Sequence, residues 1–181
     1  SSDVCSSDLM TNEEIIQKNY EAAAAIYARF GVDTGDVLQQ MKQIEISLHC
    51  WQGDDVTGLE SVSGGVSGGI MSTGQYPGKS RTGDELRADI DRAMSLLPGK
   101  QRLNLHASYA ELDGEKVDRD AYETRHFARW IAWAKSRGIA LDFNPTCFGH
   151  PMAADNLTLS HPDDKIRRFW ARVPESKLRP R

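Results

Sequence analysis

The sequence predicts an α/β fold in which helices and parallel strands alternate. Alternating apolar residues mark three strands, whereas apolar residues at helical spacing mark helices before, between and after them. The helical segments between strands are long enough for right-handed crossovers, so we expect parallel pairing. Three strand–helix units are too few to close a barrel, which takes eight units and about 250 residues. The sequence therefore predicts either a small open α/β domain or the opening portion of a barrel.

The composition is that of an ordinary soluble domain. Hydrophobic residues make up 39% and charged residues 27% of the 181 residues, which is enough for one domain with its own core. The net charge of −4 argues against a nucleic-acid partner, because such a partner needs a clustered basic face. No apolar run approaches the ~20 residues of a membrane span. Cys5, Cys50 and Cys147 form no C-x-x-C pair and imply no disulfide framework, which favours a reducing, cytoplasmic location.

Residues 1–9 differ in character from the rest of the chain. They contain the triplet S-S-D twice and have neither a basic start nor an apolar middle, so they do not form a signal peptide. Met10 comes directly after them, and a helix start comes directly after Met10. We therefore interpret residues 1–9 as a non-native leader and exclude them, together with Cys5, from the prediction of the fold.

The first predicted elements are two helices and a strand. Thr11 and Glu14 form a T-x-x-E capping box, so a helix should begin at about Asn12 and end before Gly31. A shorter helix is predicted over residues 34–42. The alternation after this helix predicts the first strand, with its apolar positions at Ile44, Ile46 and Leu48.

The next helix and strand come after a glycine-rich stretch. Thr82 and Glu85 form a second T-x-x-E box, and apolar residues recur at helical spacing until Pro98 stops the helix. Residues 103–107 alternate between apolar and polar types and predict the second strand.

The remaining elements complete the alternation. An N-cap at Asp118 predicts a third long helix that runs to about Arg137, where Gly138 closes it. Residues 139–143 predict the third strand, which ends at Asn144-Pro145 because proline removes a ladder donor. A last helix is predicted over residues 163–172.

Residues 52–81 hold eight of the fifteen glycines. A loop of about 30 residues inside a compact domain is more often functional or mobile than idle. It contains neither G-x-x-x-x-G-K-[ST] nor a G-x-G-x-x-G directly after the strand, so it has no recognisable phosphate-binding motif. Both interpretations stay open: a functional loop and a flexible insertion without a function.

Polar and aromatic residues follow each predicted strand. In parallel α/β folds the carboxyl ends of the strands share one rim, where active groups are usually found. Aromatic walls suit the apolar face of a sugar, and a neutral His or Asn suits its hydroxyls. The alternative is that these side chains simply pack beneath loops. The rim residues are His49-Cys50-Trp51, then His106 with Tyr109 and Glu111, then Asp142, Phe143, Asn144 and Cys147.

No metal cage or covalent nucleophile is predicted from the residue pattern. His150, Asp155 and His161 share one loop, but their spacing matches no strong ligand signature, and solvated surface charge explains them as well. A Cys–His nucleophile built on Cys50 or Cys147 lacks a third, orienting group at motif strength.

Several blocks of the chain resemble L-rhamnose isomerases, and the likeness covers about residues 10–170. The resemblance implies the N-terminal portion of a (β/α)8 TIM barrel related to the xylose-isomerase type, with about three βα units and leading helices. It also implies a cytoplasmic homotetramer that interconverts L-rhamnose and L-rhamnulose with divalent metals, commonly manganese. The blocks are HCWQGDD at 49–55, TGQYPGK at 73–79, LRAD at 86–89, RLNLHA at 102–107, LDFNPTCF at 141–148 and LSHPDD at 159–164.

The resemblance also assigns residues. It implies substrate contacts from His106, Trp51, Phe143 and Phe148, and a mobile role for the glycine-rich loop. The family's metal ligands lie on later strands, so the resemblance implies no catalytic residue and no metal ligand in these 181 residues.

The expected organisation is a leader over 1–9, the isomerase barrel portion over 10–172 and a tail outside the family over 173–181. We expect a truncated chain that is inactive alone and binds no metal. Two alternatives stay open: an isomerase of another aldose on the same barrel, and a non-catalytic α/β sugar-binding module.

Overall fold

The computed structural model describes residues 11–49, 59–60 and 80–175, which belong to two compact units. The first unit ends at Ile44 and the second begins at Glu45. The leader, Cys50, Trp51 and most of the glycine-rich stretch lie outside the described residues, as do residues 176–181.

The first unit contains the two predicted helices, α1 (Asn12–Ala28) and α2 (Thr34–Met41). The predicted capping box is present, because the Glu14 N–H donates to Thr11 Oγ1 at 3.3 Å and the Thr11 N–H donates to the Glu14 carboxylate at 2.7 Å. Asp33 caps α2 by accepting the Asp36 N–H at 3.1 Å. Neither helix contributes a buried side chain.

The second unit alternates strands and helices in the predicted order. The described residues form a parallel three-stranded sheet with the order β1-β2-β3, so the predicted parallel pairing is confirmed. No helix among the described residues is long and apolar enough to span a membrane. The elements are β1 (Ile46–His49), α3 (Gly83–Met94), β2 (Gln101–His106), α4 (Ala128–Arg137), β3 (Ala140–Asn144) and α5 (Asp164–Glu175).

The two faces of the sheet differ in chemistry because side chains alternate along each strand. Leu103 and Leu105 of the central strand β2 point to the face that packs against α3 and α4. Arg102, Asn104 and His106 point to the opposite face, where their bonds go to polar residues of the neighbouring strands. The helices therefore cover an apolar face, and the other face is polar up to the carboxyl ends of the strands.

The helix predicted from the N-cap Asp118 begins nine residues later than expected, so this prediction was wrong in extent. Residues 119–121 and 124–127 form two short 3-10 turns, and the α-helix starts only at Ala128. Asp118 does cap, but it caps the first turn by accepting the Arg119 N–H at 2.8 Å. Tyr122 has an extended backbone between the two turns, so the helix is interrupted there. Arg119, three residues earlier, is buried.

The other boundaries differ by a few residues. Helix α3 ends at Met94, before the predicted stop at Pro98. Gly138 closes α4 with a left-handed φ of 65°, as predicted. Helix α5 continues past the predicted end and includes Pro174 in its last turn, where Val173 is fully buried.

The core lies between the apolar face of the sheet and helices α3 and α4. Leu86 and Ile90 of α3 meet Leu103 and Leu105 of β2, and Trp130 of α4 joins the same cluster. A second cluster forms around α5, where Phe169, Trp170 and Val173 pack against Ala107 and Ala153.

A buried ion pair fixes the start of α3. Arg87 donates to both oxygens of Glu111, at 2.8 and 3.1 Å, and lies over the Trp130 ring at 4.7 Å. A Cβ at Gly83, the first residue of α3, would come within 2.4 Å of the Glu111 carboxylate, so a larger residue there would have to displace this carboxylate from its bonds with Arg87. Glu111, which the sequence placed on the rim, is therefore a structural partner of Arg87.

We expect Leu105→Ala to lower the free energy of unfolding by about 2–5 kcal/mol, because it leaves a cavity beneath β2. Leu105 has no exposed surface, whereas Leu96 is 67% exposed and serves as the matched control. Leu96→Ala should change stability by less than about 0.5 kcal/mol. Urea unfolding of both variants followed by circular dichroism measures the difference, and equal effects would contradict the described core.

Candidate functional site

The carboxyl ends of the three strands meet, as the sequence predicted. The register places His49 of β1 opposite Asn104, and His106 of β2 opposite Asn144 of β3. His106 contacts both His49 and Thr146, which comes two residues after Asn144. The described residues therefore bring one polar cluster, which we call the strand-end cluster, to a single rim: His49, Asn104, His106, Asn144 and Thr146.

The two histidines of this cluster touch each other. His106 Nε2 lies 3.1 Å from His49 Nε2 and 3.3 Å from His49 Nδ1, and the two rings meet edge to face at 4.4 Å between centroids. Asn104 donates from Nδ2 to His49 Nδ1 at 2.9 Å. His106 has no exposed surface, so a ligand that contacts it must displace a group that now covers the ring.

Aromatic rings support His106 from behind. The Tyr109 ring lies 5.2 Å from the His106 ring, and Trp130 stacks on Tyr109 at 5.8 Å. The Trp130 indole N–H donates to the Tyr109 carbonyl at 2.9 Å. Tyr109, which the sequence placed on the rim, is fully buried and packs between His106 and the core.

Thr146, whose own backbone is strained, contacts the Nδ1 edge of the His106 ring. Its hydroxyl lies 3.2 Å from His106 Nδ1, and its φ is +50°, which is uncommon for a β-branched residue. The Thr146 N–H donates to Asn144 Oδ1 at 2.8 Å and closes a turn over Pro145. Such strain, of about 1–3 kcal/mol, persists only where surrounding contacts over-determine the backbone.

Arg119 supplies these surrounding contacts. Its guanidinium donates to both oxygens of Glu60, at 3.0 and 2.6 Å, and to the carbonyls of Thr146 and Phe148. The side chains of Arg119 and Glu60 are only 2% and 1% exposed. Because Glu60, Arg119 and Thr146 follow β1, β2 and β3 respectively, this buried junction joins the loops after all three strands.

Tyr122 completes the junction by donating its hydroxyl to Glu60 at 2.7 Å. Burial raises the pKa of the Tyr122 phenol far above its ordinary value, and the Glu60 charge adds to this. Tyr122 therefore stays protonated and acts as a donor.

A pocket of about 490 Å³ lies beside the junction, within the range of small-molecule sites. Its lining includes Glu60, Arg119, Tyr122, Asp118 and His150, but not His106. His150 stacks on Phe169 at 4.9 Å and bonds Asp118 at 2.8 Å. The pocket is thus separate from the strand-end cluster, although both depend on Arg119.

The residues assigned to the substrate have different surroundings. His106 lies in the strand-end cluster. Phe143 is half-buried, and its ring meets Phe127 at 5.8 Å between the two apolar clusters. The half-buried Phe148 accepts a bond from Arg119 at 2.9 Å through its carbonyl. Trp51 lies outside the described residues, and the substrate roles of all four stay predictions.

The described residues offer no ready metal site and no activated thiol. No three His, Cys, Asp or Glu side chains among them converge as a metal would require, so the described part does not fit the metal that the family implies. Burial raises the pKa of the Cys147 thiol, although the charge of Arg119 opposes this. A Cys147 nucleophile is therefore disfavoured.

The sequence missed five residues of this site: Glu60, Asn104, Arg119, Tyr122 and Thr146. Glu60 lies in the glycine-rich stretch, and Arg119 lies in a segment predicted as an ordinary helix start. Only the dipeptide Asn144-Pro145 before Thr146 signalled an unusual turn. The long-range bonds of Arg119 leave no local pattern in the sequence.

Comparison with known proteins identifies one family. A family model for L-rhamnose isomerase (RhaA) matches residues 14–179. The L-rhamnose isomerase of Mannheimia succiniciproducens is 56% identical over 155 residues, which cover 86% of this chain and 37% of that protein. The L-rhamnose isomerase of Bacteroides thetaiotaomicron is 55% identical over 161 residues, which cover 89% of this chain and 38% of that protein.

The L-rhamnose isomerase of Shigella flexneri serotype 5b is 51% identical over 155 residues, which cover 86% of this chain and 37% of that protein. The chain thus spans less than two fifths of the length of the curated relatives it matches.

We expect Glu60→Gln to lower the free energy of unfolding by about 3–5 kcal/mol, because it leaves the buried Arg119 charge without its anion. Glu115→Gln is the matched control, since Glu115 also bonds an arginine, Arg125, but its side chain is 38% exposed. The control should leave the urea unfolding midpoint nearly unchanged. Similar midpoint shifts for both variants would contradict the anchoring role of the Glu60–Arg119 pair.

Proposed function

Because this chain belongs to the L-rhamnose isomerase family, we propose that it forms part of an enzyme that interconverts L-rhamnose and L-rhamnulose. The observation that carries this proposal is the family match over residues 14–179. The reaction moves a hydrogen between C1 and C2 of the sugar and needs no external oxidant, because the aldose and the ketose have the same oxidation level. The strand-end cluster is where we place the sugar.

The chemistry of the strand-end cluster supports this placement. Histidine rings, the Asn104 amide and the Thr146 hydroxyl offer donors and acceptors of the kind that bind sugar hydroxyls. We propose that His106 contacts the sugar, and that Trp51, Phe143 and Phe148 form an apolar wall that excludes water. The contribution of these residues is to bind and orient the substrate.

The sheet supports a place in a larger barrel. Helices α3 and α4 pack on its apolar face, and the polar face leads to the strand-end cluster. In a (β/α)8 barrel the helices form an outer ring and catalytic residues stand at the carboxyl ends of the strands. We propose that β1 to β3 are the first three strands of such a barrel.

The family relationship also supports the metal and the assembly that we propose. A divalent metal, in our proposal Mn²⁺, would polarise the carbonyl and hydroxyl oxygens of the sugar. The described residues do not assemble its ligands, so we assign it to residues outside the described part. We further propose a cytoplasmic homotetramer, without a nucleic-acid or membrane partner.

A chimera tests the activity. Residues 14–179 would replace the matching stretch of the Mannheimia succiniciproducens enzyme, with the unaltered enzyme as the control. We expect the chimera, supplied with Mn²⁺, to convert L-rhamnose faster than any other aldose of a panel. Turnover of another aldose without L-rhamnose would favour an isomerase of different specificity. Sugar binding without any turnover would favour a non-catalytic binding module.

We expect His106→Ala in this chimera to lower turnover or affinity at least about tenfold, because it removes a hydrogen bond to the sugar worth roughly 1.4 kcal/mol. His161→Ala is the control, since His161 pairs with Asp155 in the loop before α5, and no bond among the described residues joins it to the strand-end cluster. Steady-state kinetics with L-rhamnose measure both variants. Unchanged kinetic constants for His106→Ala would refute the proposed contact.

A further inference from the structure

We propose that Arg119 is a positioning residue for the sugar site, because it holds the tight turn over residues 146–148. This turn carries Thr146, which contacts His106, and Phe148, which we place in the apolar wall. Arg119 acts on the site through this turn. The effect on catalysis rests on the proposed function, whereas the ordering of the turn by Arg119 does not.

The turn joins two parts of the proposed site. Thr146 Oγ1 lies 3.2 Å from His106 Nδ1, at the strand-end cluster. The Phe148 N–H donates to the Thr146 carbonyl at 2.8 Å and closes a three-residue turn. The polar contact and the proposed apolar wall therefore share one tight turn, and a change in its shape displaces both.

The shape of this turn is not one that its residues prefer. Thr146 has a φ of +50°, in the left-handed region that is unfavourable for a β-branched residue. Without contacts from outside the turn, the Thr146 backbone would return to an ordinary φ and move its hydroxyl away from the His106 ring. The turn therefore needs bonds from elsewhere in the fold to keep its shape.

Arg119 supplies bonds at both ends of the turn. Its Nη1 donates to the Thr146 carbonyl and, at 2.9 Å, to the Phe148 carbonyl. The guanidinium is itself fixed, since Glu60 accepts two bonds from it at 3.0 and 2.6 Å and its Cζ lies 5.8 Å from the centre of the Trp170 ring. Hydrogen bonds from a charged donor are strong in the interior, where this side chain is buried.

A double variant separates the order of the turn from the stability of the fold. Arg119→Met alone would leave the Glu60 charge buried without its cation and would destabilise the protein. Arg119→Met combined with Glu60→Gln removes both charges, and a side-chain carbonyl still accepts from the Tyr122 hydroxyl. We expect this double variant to keep a stability close to that of the wild type, although the two carbonyls of the turn lose their donor.

Hydrogen exchange followed by mass spectrometry tests the order of the turn, in the 181-residue chain and in the chimera. We expect the peptide over residues 144–150 to exchange at least about tenfold faster in the double variant, because the Thr146 and Phe148 N–H groups open more often. Peptides from β2 and α4 should keep their wild-type rates. Arg125→Met is the matched control, since Arg125 also bonds two carboxylates but is 58% exposed, and it should leave every rate unchanged.

Steady-state kinetics of the chimera test the positioning role. We expect the double variant to lower kcat/KM for L-rhamnose about tenfold, with at least about threefold of this in KM, because the site is misplaced in every folded molecule. A purely structural role would instead lower kcat in proportion to the folded fraction, which circular dichroism measures, and leave KM unchanged. Arg125→Met should keep both constants.

Arg119→Lys provides a graded variant. It keeps a charge beside Glu60, but one ammonium group lacks the planar fork that reaches Glu60 and two carbonyls together. We expect its exchange rate over residues 144–150 and its KM to lie between those of the wild type and of the double variant. If the double variant fails to fold, Arg119→Lys decides the question by the same two measurements.

An unchanged exchange rate over residues 144–150 in the folded variants would overturn the inference. An active chimera whose KM stays at the wild-type value in these variants would overturn the positioning role. An inactive wild-type chimera would count against the proposed function, and the exchange rates would still decide whether Arg119 orders the turn.

Discussion

The two-residue period of strand β2 is the constraint on which the rest of the second unit depends. Leu103 and Leu105 turn to one face and join the core, whereas Asn104 and His106 turn to the other and join the strand-end cluster. A shift of the pairing by one residue would exchange these faces and bury the polar groups against Trp130. The packing that stabilises the sheet therefore also orients the candidate site.

A single buried charge links the loops that this sheet positions. Burial of an unpaired Arg119 cation would cost several kcal/mol, because the charge would lose its hydration. Glu60 and two backbone carbonyls accept the hydrogen bonds of the guanidinium. Because these acceptors lie in different loops, the bonds tie together the loops after β1, β2 and β3. The strained Thr146 lies within this junction, which explains how its unusual φ is maintained.

The segment between Asp118 and Arg137 shows where local signals were insufficient. Asp118 is a good N-cap, and the sequence after it favours a helix. The chain instead forms two 3-10 turns, and both Arg119 and Tyr122 bond Glu60 in the interior. The later part of the predicted helix does form, as α4, and it ends at Arg137 as predicted. Tertiary contacts outweighed a propensity difference that is small for each residue.

The sequence by itself determined the order of the elements, the parallel strands and the meeting of His49, His106 and Asn144 at one rim. These features arise from caps, from helical and strand periods, and from the geometry of crossovers, all of which are local or topological. Only the tertiary structure decided that His49 touches His106, that Thr146 adopts a left-handed backbone and that Arg119 pairs with Glu60. The Arg119–Glu60 partners lie 59 residues apart, and a bond over that separation leaves no trace in any local pattern.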